Sequence, residues 1–158
     1  MKRAAMFIMF ITLAFSGSVF ALGKPDFSGT WTLDMAKSDM GPGRAHDMAG
    51  ARKVTLVIRQ TPAVLAIDRT AGQRVETATF KLDGSESVNK SPSGQDIKST
   101  STWSGSTLVT KSTMAIKGMT AETSDVRSLS ADGKVMTIDV TRKTSRGDVK
   151  QKLIYNRQ

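Results

Sequence analysis

His46 is the single histidine of the chain, and it falls near Met35, Met40 and Met48 in a stretch containing Gly41-Pro42-Gly43. Thioethers and imidazole are soft donors suited to Cu(I), and haem ligation through His46 is a related alternative. The four groups are scattered over 14 residues without a spaced motif. Methionines also serve simply as adaptable apolar cover, so no metal and no cofactor are expected. Catalysis has less support still. There is no cysteine, no Gly-x-Ser-x-Gly elbow, and no base that the sequence pairs with a nucleophile. Glu122 and Asp125 share one strand but lie on opposite faces of it, so no catalytic residue is assigned and the chain reads as a non-enzyme.

Binding is the remaining chemistry, and Trp103, Arg69 and Met114 are the residues proposed to line a ligand site. Trp103 ends a strand whose same-face neighbours are Ile97, Ser99 and Ser101. It could line a pocket, cap a barrel end or lie on the outside. Several strands are polar on both faces, as in Glu76 to Thr79 and Lys98 to Thr102. An interior faced with serine and threonine cannot be packed dry, which favours a wet cavity holding a polar or amphipathic ligand.

These side chains need strands to position them. The stretch Asp26-Phe27-Ser28-Gly29-Thr30-Trp31-Thr32-Leu33 places Phe27, Gly29, Trp31 and Leu33 on one face, with Gly29 allowing a neighbouring backbone to come close beside the indole. A long loop follows at about 35–52, with one helical turn expected near 46–51. Residues 53–60 form a strand with Val54, Leu56 and Ile58 on one face, and 64–69 its hairpin partner. Glycines at 72, 84, 94, 105, 118, 133 and 147 then recur every 10 to 15 residues. They separate strands at 74–82, 96–103, 107–116, 120–129, 135–143 and 149–156, with a short one at 86–89. Asp83-Gly84 and Asp132-Gly133 are read as two-residue hairpin turns. The fold class is therefore all-β, an antiparallel up-and-down meander barrel of about 8–10 strands whose closure removes exposed edges.

The N-terminus begins Met1-Lys2-Arg3, runs apolar from Ala4 to Phe15, and ends Val19-Phe20-Ala21. This is a secretory signal peptide over 1–21, and the mature domain covers 22–158. The protein is expected to be exported, periplasmic or secreted, with no transmembrane segment in the mature chain. The mature chain is about 34% apolar, which implies a thin core, and without cysteines it has no disulfide to reinforce it. Its 21 cations against 14 carboxylates leave about +7, a charge that favours an anionic envelope component as partner. Widely spread aromatics without interleaved basic runs argue against nucleic acid, and a monomer is expected.

Gly29-Thr30-Trp31 at the start of an all-β meander resembles the lipocalin and wider calycin group, in which a Gly-x-Trp strand opens an eight-stranded barrel. More closely, the chain resembles a family of exported bacterial lipocalin-like proteins of unknown function. Further resembling pieces are Lys37-Ser38, Leu82-Asp83-Gly84, Ser101-Thr102-Trp103, Ser128 to Lys134 and Gln151 to Arg157. The resemblance implies that Trp31 closes one barrel end and that Arg157 or Lys152 lays its cation on the ring. The Thr-Asp-Tyr element and the cysteine bridge common among lipocalins are absent. Two functions remain: a barrel binding a small amphipathic or polar ligand, and an interaction protein docking its basic surface to an envelope component or protein partner.

Overall fold

Glycine punctuation and period-two alternation divide the chain into ten strands in the computed structural model, which describes residues 23–41, 53–116, 118–144 and 147–158. They are β1 (Gly29–Leu33), β2 (Val54–Gln60), β3 (Val64–Ala71), β4 (Arg74–Lys81) and β5 (Glu86–Lys90), then β6 (Asp96–Ser104), β7 (Thr107–Ile116), β8 (Met119–Leu129), β9 (Val135–Thr144) and β10 (Gly147–Arg157). All pair antiparallel in one sheet of order β4-β3-β2-β1-β10-β9-β8-β7-β6-β5, so the meander is closed by the first strand pairing with the last. The described residues contain no helix, and none therefore that is long and apolar enough to cross a membrane. The signal peptide at 1–21, the helical turn at 46–51, His46 and Met48 lie outside the described residues.

Alternation decides which side chains enter the barrel. Trp31 and Leu33 of β1, Val54, Leu56 and Ile58 of β2, Leu65 and Ile67 of β3, and Met136, Ile138 and Val140 of β9 all point inward and are buried. One end of the barrel is filled and dry, with Phe27, Trp31, Leu65, Leu108 and Met136 fully buried. Each such side chain contributes about 1.5–3 kcal/mol relative to exposure.

A clasp holds that end. Trp31 stands opposite Arg157 in the β1–β10 register, and the guanidinium lies over the indole at 4.3 Å from the ring centroid. Arg157 also donates from Nε to Gly133 O (2.9 Å) and through its two terminal nitrogens to the carbonyls of Ser28 and Asp26. The indole Nε1 donates to Phe27 O at 2.9 Å. What comes close to Gly29 is this guanidinium, where the sequence had suggested a backbone. A Cβ at position 29 would sit 2.7 Å from Arg157 Nη1, and φ there is +132°.

The start of the long loop is docked. Asp39 exchanges two backbone hydrogen bonds of 2.8 Å with Lys152, and Ser38 Oγ accepts from Ile154 N (2.9 Å) while donating to Asp34 O (2.7 Å). Gln151 Nε2 donates to Met40 O, which brings Met40 into the barrel wall beside β10. Met40 is buried and Met35 exposed, so these two thioethers do not share an environment.

Arg157→Met should lower the unfolding free energy by about 2 kcal/mol, through lost cation–π and charge-assisted hydrogen bonds, as read from urea melts. Gly29→Ala should cost a comparable ~1–3 kcal/mol by displacing the same guanidinium from a backbone conformation unsuited to alanine.

Candidate functional site

The opposite end of the barrel is hollow. A cavity of about 1420 Å³ opens at the β3–β4 turn, where Ala71, Gly72, Gln73 and Arg74 form part of its lip. Its apolar lining comes from Leu33, Met40, Ile97, Val140 and Leu153, and its polar lining from Arg69, Glu76, Thr123, Asp125, Arg142, Gln151 and Tyr155. The cavity therefore combines apolar walls with a few convergent charged groups, the usual constitution of a small-molecule site.

The charges are arranged in pairs. Arg69 and Glu76 stand opposite each other across β3 and β4 and approach to 3.3 Å. On β8, Asp125 and Arg127 are two residues apart and so share the inward face, with Arg127 Nη2 donating to Asp125 Oδ2 at 3.2 Å. Arg127 is only 6% exposed. It lies deeper than Asp125, donates from Nη1 to Thr110 Oγ1 (3.3 Å), and spans the barrel to place its guanidinium 5.8 Å from the Phe80 ring centroid. Its Nε has no hydrogen-bond partner. Tyr155 lines the cavity nearby: burial pushes its hydroxyl pKa up, while the positive fields of Arg69 and then Arg127 act in the opposite direction.

The polar wall is satisfied internally. Ser101 and Thr110 share a hydrogen bond of 2.8 Å across β6 and β7, as do Ser99 and Ser112 at 2.9 Å. Ser99, Ser101 and Thr110 are all buried. The serine and threonine faces thus pair with each other, which lets them line a barrel at little desolvation cost.

Closure of the cylinder is incomplete between β4 and β5. These strands stand at the two ends of the sheet order, so Asp83-Gly84 joins strands that separate and does not make the hairpin its composition suggested. Gly84 keeps the positive φ of a turn (+85°), and Asp83 Oδ1 accepts from both N and Oγ of Ser85. Side chains from β5 take the place of the missing ladder. Asn89 accepts at Oδ1 from Thr79 N (2.8 Å) and donates from Nδ2 to Thr79 O (3.0 Å), so its amide stands in for a neighbouring peptide group. Ser87 Oγ accepts from Lys81 N at 2.8 Å. The expectation that closure removes all edges is corrected by this seam.

Of the residues singled out from sequence, Arg69 lines the cavity. Met114 is half-buried on β7 between Ile97 and Ala121, beside the lining but outside it. Trp103 lies at the closed end, stacked on Phe27 with centroids 6.0 Å apart and Lys24 5.7 Å above its ring, and its Nε1 has no hydrogen-bond partner. Asp125, Arg127 and Tyr155 were not assigned to a binding site from sequence. A signal for the first two was present: charges two residues apart on one strand must share a face, and in a barrel one face is the interior. The described residues contain no cluster of three or more His, Cys, Asp or Glu side chains arranged to hold a metal ion.

With this geometry in view, the molecule is a calycin-type barrel of ten strands, and known structures agree with that class. A crystal structure of a point mutant of the fluorescent protein UnaG superposes with a TM-score of 0.60 at 22% identity, covering 84% of this chain and 96% of that one. REP1-NXSQ fatty acid transporter superposes with a TM-score of 0.62 at 18% identity, covering 83% and 95% respectively. At these identities the likeness is one of fold. No family model matches the sequence, and no curated protein matches it.

Removing the seam's surrogate peptide should be visible locally. Asn89→Ala should cost about 1–2 kcal/mol and accelerate amide hydrogen exchange at Thr79, leaving the mid-β7 amide of Lys111 unchanged. Tyr155 supplies a pH prediction. Its folded pKa lies above the ordinary 10.0, so the native state holds this proton more tightly than the unfolded chain does. Stability should therefore fall as pH rises from about 10 toward the folded value, and Tyr155→Phe should show a shallower alkaline loss in urea midpoints.

Proposed function

We propose that this chain is an exported, non-enzymatic barrel that holds a small amphipathic molecule, with an anionic head at the cavity's charged cluster and an apolar body against the walls. The observation that carries the reading is the charged cluster at the cavity, where Arg69, Asp125 and Tyr155 line the wall and Arg127 lies buried behind Asp125, outside the lining. Arg127 is buried, its charge is only partly balanced by Asp125, and its Nε donor is unpartnered. A buried donor left unsatisfied costs about 1–3 kcal/mol, so an acceptor supplied by a ligand recovers free energy that the empty site forgoes. Arg69 and Tyr155 lie close enough to influence each other electrostatically and supply further donors on the same side. Above them, Leu33, Met40, Ile97, Val140 and Leu153 give the apolar wall that an alkyl or fused-ring body requires.

Two lines support the reading from outside the site. Two similar structures are a fluorescent protein and a fatty acid transporter. Residues 1–21 carry the basic, apolar and small-residue pattern of an export signal, which supports a carrier acting in the periplasm or outside the cell. Arg69 belongs to the charged cluster in this reading, while Trp103 and Met114 support it from the closed end and from the neighbouring wall.

The test compares heads on one body. Oleate and oleyl alcohol are titrated against the protein carrying anilinonaphthalene sulfonate as a fluorescent reporter. Oleate should displace the reporter about 10- to 100-fold more effectively, the ratio expected for one charge-assisted contact to Arg127. In Arg127→Met, checked by circular dichroism for an intact barrel, the ratio should fall toward one. Equal displacement by both compounds in the unmodified protein would remove the anionic head from the proposal.

A further inference from the structure

The two ends of the barrel differ in what they show to solvent. The closed-end turns at 61–63, 82–85, 105–106 and 130–134 carry none of the exposed large apolar side chains found among the described residues. The mouth-end turns carry the two most exposed of them, Met119 (67%) and Val75 (65%), together with Ile116. Ile116 and Met119 face each other across the last pair of the β7–β8 hairpin, at its tip. Val75 follows Arg74 at the tip of the β3–β4 hairpin, whose turn forms the cavity lip. Around the rim, these hairpins are separated only by the β5–β6 turn.

Charge at the same end selects that surface. Arg74 and Lys53 are exposed beside the lip and have no carboxylate partner among the described residues. At the closed end, Asp83 and Asp132 stand in exposed turns, the latter beside the exposed Lys134. Their carboxyls are held below the usual range chiefly by hydrogen bonds from Ser85 and Ser130, so they stay ionised. Exposed apolar tips flanked by unpaired cations match a lipid surface of negative charge, where side chains insert among acyl chains while Lys and Arg meet the headgroups.

We infer that the mouth end of the barrel docks on an anionic lipid surface through Ile116, Met119 and Val75, with Arg74 and Lys53 contacting the headgroups. Docked in this way, the cavity faces the bilayer and the closed-end turns face water. The inference does not rest on the cavity's occupant, because vesicle binding is read without one.

The experiment is co-sedimentation of the protein with vesicles of phosphatidylcholine, alone or with about 30% phosphatidylglycerol, at low and at high salt. Binding should be confined to the anionic vesicles and weaken as salt rises. Ile116→Ser combined with Met119→Ser should weaken it about tenfold, and Arg74→Glu by a similar factor. Val88→Ser removes an exposed valine from the barrel wall and should leave binding unchanged. The inference is overturned if anionic vesicles bring down no more protein than neutral ones, or if the mouth-end variants bind as well as the unmodified protein. Equal loss in Val88→Ser would also overturn it, by showing general surface stickiness with no preferred end.

Discussion

A ten-stranded antiparallel sheet can become a barrel only if its first strand reaches its last, and here that contact is short. β1 gives only Trp31, Thr32 and Leu33 to its pairing with β10. The Arg157 guanidinium reinforces it, covering the Trp31 ring and bonding the carbonyls of Asp26, Ser28 and Gly133. One side chain thus ties the incoming N-terminal segment, the last strand and the β8–β9 turn to one point. Gly29 is required there because a side chain would occupy the space of the guanidinium. With no cysteine in the chain, this clasp takes the part that a disulfide plays in many small secreted domains.

From the clasp the interior changes character along the barrel axis. Phe27, Trp31, Leu65, Leu108 and Met136 fill the closed end and are fully buried there. Toward the mouth, the inward positions of β6 and β7 become Ser99, Ser101, Thr110 and Ser112, whose hydroxyls bond one another. Volume is the physical reason for the gradient. Small hydroxyl side chains occupy less of the barrel than leucines would, and Ser99, Ser101 and Thr110 are themselves buried outside the cavity lining. Arg127 sits at the boundary, with one nitrogen on Thr110 of the polar wall and its guanidinium beside Phe80. Behind the cavity lining, the guanidinium thus joins the polar wall to the packed apolar residues.

Most of the architecture was legible in the sequence because turns and alternation are local. The seven punctuating glycines all adopt positive φ, and the alternation at Val54, Leu56 and Ile58 gives the buried face directly. The seam was not legible, because Asp83-Gly84 has the chemistry of a tight turn whether or not the strands beyond it stay paired. Nor does Asn89 announce itself, since its role depends on meeting the Thr79 peptide across a gap that only the closed barrel creates. Within the site, Arg69 could be picked out as a cation on a strand of alternating pattern. Asp125 and Arg127 were obscured because their strand is polar on both faces, so alternation alone does not say which face is inside.

The seam and the cavity have one origin. Ten strands enclose a circumference that the described side chains fill at only one end, and a sheet under no obligation to wrap a packed core need not complete its last ladder. The bonds across the seam come from Ser87 and Asn89, toward the closed end of β4, where Phe80 and Leu82 pack with the core. Nearer the mouth, the same edge contributes Arg74 and Glu76 to the cavity lining, and Ile97 lines it from the far side of β5. Backbone pairing there would draw these residues together and narrow the space between them. Side-chain bonds at the dry end fix the barrel's diameter while leaving the mouth wide, so the break in the sheet preserves the volume of the cavity.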